Sequence, residues 1–306
     1  MTTAPPDLDS PRFTAADARL TDGARGTFGA LTELVKPSIA GLVMVTATCG
    51  ALVAPGPIRW GKLLVALVST SMVVGAANAL NMYAERESDA LMSRTRSRPL
   101  PSGRLAPEIA LAFALVLASL GLNVLGLVSG GLPCLLTALA FGSYVLAYTP
   151  LKRVTPYALH VGALPGAIPP LIGYSAVTGD LGTGAWWLFA ILFVWQLPHF
   201  IAIALFRSAD YARAGARVLP VVRGRLAGER AVVHYSLALV LVTLLPAAFG
   251  VVRTPYLFVT APVGAAFLAL VFGGAGRGTD RWAKRVFFAS MPYLVCVYAA
   301  FVAAAR

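Results

Sequence analysis

Charge is what this 306-residue sequence has least of. Only 12% of its residues are Asp, Glu, Lys or Arg, while 58% are hydrophobic. Soluble domains carry about twice that share of charge, so a pair of water-soluble domains, which the length would allow, is excluded. Cysteine is scarce too: Cys49, Cys134 and Cys296 are odd in number, far apart and each inside an apolar run. They lack metal-ligand spacing and read as small buried hydrophobes. The first 30 residues have no apolar core segment, which excludes a secretory signal. Their acids, Asp7, Asp9, Asp17 and Asp22, speak against a mitochondrial presequence. Residues 1–30 therefore read as a solvated, disordered tail. No internal repeat is evident. The net charge of +12 raises nucleic acid as a partner. The basic residues, however, lie between long apolar runs and not on an aromatic-interleaved face, which argues against it.

What the sequence does have is nine apolar runs, near 35–54, 62–84, 107–128, 132–149, 157–176, 185–206, 231–251, 256–274 and 285–304. Each is roughly 17 to 23 residues, enough to cross a hydrocarbon core as a helix. The expected architecture is an all-α, polytopic bundle of nine transmembrane helices over residues 31–306. Threading the runs with the N-terminus in the cytoplasm places 21 of the 25 Lys and Arg on that side, as the positive-inside rule requires. Ser129, Gly130 and Gly131 make the tight turn between the third and fourth runs. Gly126–Gly130 and Gly162–Gly166 match the small-xxx-small pattern of close helix contact. The fifth run carries Pro165, Pro169 and Pro170, which marks either a cavity-lining break or a plain kink.

The chemistry concentrates in Asn78–Arg104, NALNMYAERESDALMSRTRSRPLPSGR. Asn81, Glu85 and Asp89 stand at i, i+4 and i+8, on one helical face and roughly 6 Å of rise apart. Asn78 borders that face. Arg94, Arg96, Arg98 and Arg104 follow, punctuated by Pro99, Pro101 and Gly103. Two readings fit the acids: interfacial residues paired with nearby arginines, or ligands of a divalent cation. Mg²⁺ takes oxygen ligands and commonly bridges one or two carboxylates to substrate phosphates, and arginine offers several donors to phosphate oxygens. Two further polar pieces fall on the same side. One is YTPLKRVTPY (148–157), with Lys152 and Arg153; the other is WQLPHF followed by DYARAGARVLPVV (195–222), with His199, Arg207, Asp210 and Tyr211. His199 alone reads equally as a hydrogen-bonding core residue.

These stretches, with KPSIAGL (36–42) and GALPGAIPPLIGYSAVTG (162–179), resemble the UbiA-type intramembrane prenyltransferases. The family's mark is Asn-x-x-x-Asp/Glu-x-x-x-Asp on the second of nine helices. Within it the resemblance is to the haem-farnesylating branch, over roughly residues 33–225. It implies transfer of the farnesyl group of farnesyl diphosphate to the 2-vinyl group of haem b, with water addition; the acidic tail points to a bacterial plasma (inner) membrane. Haem b is then a substrate, and Mg²⁺ the cofactor. By the same resemblance Asn81, Glu85 and Asp89 hold the metal and, with Asp210, make up the catalytic set. Arg94, Arg98, Lys152, Arg153 and Lys36 bind the diphosphate. His199, Arg207 and Tyr211 form a second cluster for haem propionates or diphosphate, and haem A synthase is a candidate partner. Quinone-type members carry several aspartates in that cluster, and this chain does not.

The alternatives are the same fold acting on an aromatic acid or quinone precursor, and a small-molecule transporter. One-sided polar groups and the missing repeat argue against the transporter. If the cysteines are packing residues, Cys49→Ala, Cys134→Ala and Cys296→Ala each keep prenyl-transfer activity. Loss of turnover at normal membrane abundance in any of them would contradict that role.

Overall fold

The computed structural model describes residues 26–305. The tail is thus almost wholly outside the described residues, except that 26–30, assigned to it above, are helical. The helices are α1 (Gly26–Val35), α2 (Pro37–Val53), α3 (Trp60–Ala90), α4 (Pro107–Ser129), α5 (Gly131–Gly142), α6 (Thr149–Leu151), α7 (Ala158–Ala167) and α8 (Pro169–Thr178). They continue as α9 (Thr183–Phe206), α10 (Ser208–Arg213), α11 (Leu219–Val222), α12 (Arg225–Ala248), α13 (Pro255–Phe272) and α14 (Asp280–Ala304). Among the described residues there is no strand, only a bridge between Val252 and Ala305.

Eight helical stretches are long and apolar enough to cross a membrane, and α1 with α2 makes a ninth if that bent pair is one span. Alone, the 17 residues of α2 rise about 26 Å, short of a hydrocarbon core of about 30 Å. The 41° bend between the two sits at Lys36. The following Pro37 disfavours the right-handed helical region at Lys36, which instead takes a left-handed conformation at φ 50°. Gly130, at φ 104°, is the whole link between α4 and α5.

Packing follows the rules of a bilayer. Large apolar side chains such as Leu127, Leu146 and Phe258 face outward, while Thr70, Asn78, Asn81, Asp89, Gln196 and His199 are buried. A polar group exposed to lipid would be unsatisfied, so polar residues turn inward. Of the cysteines, Cys49 and Cys134 are half-buried, but Cys296 is exposed; as a small apolar residue it is as much at ease toward lipid as in a core.

Helix α3 packs along α4, α2 along α8, and α9 along α12 and α14. The α2–α8 contact is the tightest. A Cβ on Gly173 would sit 1.7 Å from the Ala47 carbonyl oxygen, and one on Gly50 would sit 1.9 Å from that of Pro170. Gly162 and Gly166, expected to admit a helix, instead admit side chains, the Tyr148 ring and the Gln196 amide. The proline-rich fifth span does break, at Ile168, into α7 and α8, and Pro165, Gly166 and Pro169 line a cavity.

Two helices outrun their apolar sequences. Helix α3 continues to Ala90 and α14 begins at Asp280, so Glu85, Asp89 and Lys284 are all helix-borne. Because backbone meets backbone at Gly173, Gly173→Ala should lower the unfolding temperature in detergent, with overpacking costing about 1–3 kcal/mol. Gly61→Ala, where an added Cβ meets nothing within 4 Å, should not.

Candidate active site

The last two turns of α3 build one wall of the site. Asn81 Nδ2 donates to Glu85 Oε2 (2.9 Å), and its Oδ1 accepts from Thr149 Oγ1 (3.1 Å) and Lys152 Nζ (3.0 Å). Lys152 Nζ also lies 2.6 Å from Glu85 Oε1. One turn on, Asp89 is 1% exposed and its Oδ2 accepts from Arg98 Nη1 at 2.6 Å. A carboxylate this deep is tolerable only when paired, and removing one member of such a pair costs about 3–5 kcal/mol.

Arg98 is aimed by a compact loop. Thr95, fully buried, donates from Oγ1 to the Asp89 carbonyl (2.8 Å). Leu100 and Leu105 anchor the loop in a core with Ala30, Leu34 and Met82. Arg104, at the end of the same basic loop, is bidentate to Glu33 (2.9 and 2.7 Å) and ties the loop to α1.

The opposite wall comes from a segment that sequence periodicity passes over. Residues Ser143–Tyr148 between α5 and α6 are a π-helix, a form often found at functional sites. It carries Tyr144 and Tyr148, ring centroids 5.3 Å apart. Lys152 Nζ lies 4.9 Å from the Tyr148 ring centroid. The four-residue spacing of Tyr144, Tyr148 and Lys152 was visible but merged into an aromatic, apolar run.

Between these walls is a cavity of about 680 Å³. Lys36, Arg94, Arg98, Lys152, Arg153, Arg207 and Lys284 line it against only two carboxylates, Glu85 and Asp89. Such an excess of cations in a low-dielectric surround selects a polyanion. Tyr211 also lines it; burial pushes its phenol above the usual range, only partly offset by Arg94, so it remains a donor. Arg153 is shared with α3, donating to Ala84 O and Ser88 Oγ, both at 3.3 Å.

Tyr144, Tyr148 and Phe200 are common to this cavity and a second, apolar one of about 400 Å³. The second is lined by Leu42, Val73, Val74, Ala77, Phe141 and Leu192 among others. A polar chamber joined through an aromatic neck to an apolar one suits an anionic head on a hydrocarbon tail.

The expected second cluster is divided by the fold. Arg207 and Tyr211 line the polar cavity, whereas His199 lines the apolar one. Asp210, expected to act in catalysis, is not among the lining residues. It is held by Arg213, accepts from Ser93 Oγ (3.1 Å) and lies 3.8 Å from Arg207, clasping the loop after α3 to α10. The reason is helical geometry: with Arg207 and Tyr211 turned to the cavity, Asp210 points to the loop.

Lys284, Phe287 and Phe288 of α14 complete the polar cavity. They were missed because they lie about 200 residues beyond the motif, in a stretch whose only local signal is a charged helix start.

The UbiA prenyltransferase family matches residues 42–291. The chain is 47% identical over 271 residues to the protoheme IX farnesyltransferase of Myxococcus xanthus, covering 88% of this chain and 92% of that one. It is 50% identical over 240 residues to the protoheme IX farnesyltransferase of Sorangium cellulosum, covering 78% and 86%. Among solved structures, that of a digeranylgeranylglyceryl phosphate synthase superposes with a TM-score of 0.76 at 18% identity, over 90% of this chain and 98% of that one. A UbiA homologue from Archaeoglobus fulgidus bound to GPP and Mg²⁺ gives 0.65 at 13% identity, over 89% and 99%. At those identities the structural likeness speaks for the fold alone. With the matched stretch running from α2 into α14 and containing the whole Asn81–Asp89 face, the chain belongs to the UbiA prenyltransferase family.

Proposed function

We propose that this chain transfers the farnesyl group of farnesyl diphosphate to the 2-vinyl group of haem b, adding water, to give haem O and diphosphate. The observation that carries the prenyl diphosphate half is the cation-rich cavity joined through Tyr144, Tyr148 and Phe200 to an apolar one. The haem half is supported by the names of relatives at 47% and 50% identity. It is also supported by Arg207 and Lys284, which flank the Phe206 ring at 5.7 and 5.9 Å and can meet a planar dicarboxylate.

The donors suit magnesium. Glu85 and Asp89 offer hard carboxylate oxygens on one wall, and among the described residues no group of three His, Cys, Asp or Glu would hold a metal by itself. That is the pattern of an ion that shares its coordination with substrate phosphates. Magnesium would neutralise and polarise the diphosphate. Glu85 and Asp89 would hold it, with Asn81 holding Glu85 in register and contributing Oδ1 as Lys152 withdraws. Lys152 and Arg98 then turn from carboxylate to phosphate oxygens, an exchange that leaves no buried charge unpaired. Arg94, Arg153 and Lys36 complete the anion site.

As the allylic C1–O bond breaks, its electron pair leaves with the diphosphate, and these cations stabilise the charge that develops there. The apolar walls keep water from the allylic cation. The terminal vinyl carbon forms the new C–C bond. Water oxygen then bonds the inner vinyl carbon, and its proton passes to diphosphate. Asp210 positions Arg207 and the loop. The chain would act in a bacterial inner membrane with its polar cavity toward the cytoplasm, the side given by the Lys and Arg bias, where a haem A synthase can take the product.

Membranes containing the protein, given haem b, farnesyl diphosphate and Mg²⁺, should yield a haem heavier by a farnesyl group plus water, absent with EDTA. Prenylation of 4-hydroxybenzoate and not haem would overturn the acceptor. Asp89→Asn should reduce turnover by at least about a hundred-fold at normal membrane abundance. Unchanged turnover would remove the metal role.

A further inference from the structure

One buried group is left unused by the proposed chemistry. His199, two turns before the end of α9, is 7% exposed and lines the apolar cavity. Its Nδ1 lies 2.7 Å from Ser290 Oγ on α14. Ser290 Oγ already donates its only proton to the Phe287 carbonyl at 2.7 Å, so toward the imidazole it can only accept. The Nδ1 must therefore carry hydrogen, which leaves Nε2 with a lone pair. Among the described residues the ring's hydrogen bond is the one at Nδ1, and the ring lines the apolar cavity. The ring cannot turn to find another. Trp195 stacks on it at 4.5 Å, Phe287 lies at 4.7 Å, and the Trp195 indole is itself tied to the Ser290 carbonyl at 2.6 Å.

An acceptor that faces an apolar cavity without a protein partner is unfavourable unless a ligand arrives there. A prenyl chain has no donor to give. An imidazole whose Nδ1–H is held by an oxygen, with Nε2 open, is the arrangement found in metal-binding histidines, where the second hydrogen bond fixes tautomer and ring direction. Resting on the haem-acceptor reading, we propose that His199 Nε2 is the axial ligand of the substrate's iron.

The surroundings fit a macrocycle seated this way. Arg207, eight residues beyond His199, caps the end of α9, about 12 Å along the axis, and Lys284 is six residues before Ser290 on α14, about 9 Å. Both line the polar cavity. With iron at His199, the carboxylate edge reaches these two cations, and Phe200, Phe287 and Phe288 offer apolar surface between. A coordination bond sets the depth of the macrocycle but not its rotation about that bond. Two carboxylate contacts set the rotation, and together they bring one chosen vinyl group to the Tyr144–Tyr148 neck.

The test uses the purified full chain in detergent, titrated with haem b and with iron-free protoporphyrin, and resonance Raman of the ferrous complex. The expected result is an iron–histidine band that is lost in His199→Gln, returns in His199→Gly when imidazole is added, and shifts but persists in Ser290→Ala. Haem affinity should fall in His199→Gln while protoporphyrin affinity does not change. Haem bound with the same band in His199→Gln, or bound to the unaltered protein with no histidine ligand, overturns the assignment and leaves haem as acceptor. Absence of both haem binding and haem product would overturn the acceptor reading, and this assignment with it.

Discussion

Two carboxylates at the end of a membrane helix are the constraint on which the rest of the structure turns. Glu85 and Asp89 lie in a bundle that offers little water, and a buried charge without a partner is among the most expensive features a protein can hold. The fold answers with one cation for each: Lys152 from the turn after the π-helix and Arg98 from the loop after α3. Meeting that demand fixes where the loop must pack, which explains its buried Thr95, Leu100 and Leu105. It also fixes where the chain must turn after α5.

The same pairs define the site's chemistry. Because each carboxylate is held by a cation that also lines the cavity, the proposed metal and diphosphate would exchange these partners and leave no charge unpaired. The cavity's surplus of Lys and Arg would repel an empty site's own members, which is consistent with Lys36 held at a bent, left-handed junction and Arg153 held by α3. Aromatic side chains then divide head from tail. Tyr148 can occupy the neck because Gly162 leaves room for its ring, so a glycine in α7 and a π-turn after α5 cooperate on one position.

Much of this was legible from local pattern. Hydropathy reports the solvent a helix faces, so nine apolar runs were visible without any contact being known, and eight of them, or nine with the bent α1–α2 pair, are single spans among the described residues. The i, i+4, i+8 spacing of Asn81, Glu85 and Asp89 is a property of one helix, and the arginines that follow are its immediate neighbours. The proline-rich break at Ile168 was equally local. Legibility failed where one residue type serves two purposes. Arg104 and Arg98 look alike in a basic loop, yet one staples α1 and the other meets Asp89. Asp210 lies three residues from Arg207, but their helical phase sends them to different neighbours.

The sequence by itself determined the solvent, the all-helical class, the number of spans and the acidic face of α3, because each is set by composition or by a period of a few residues. Only the tertiary structure decided that Lys152 joins Glu85, that Ser290 orients His199, and that Lys284 and Phe287 complete a cavity begun 200 residues earlier. Those choices depend on which helices lie side by side. In a bilayer, where every outer face is apolar, that is settled by close contacts such as Gly173 on Ala47 and by buried charges seeking partners, and neither leaves a repeating trace along the chain.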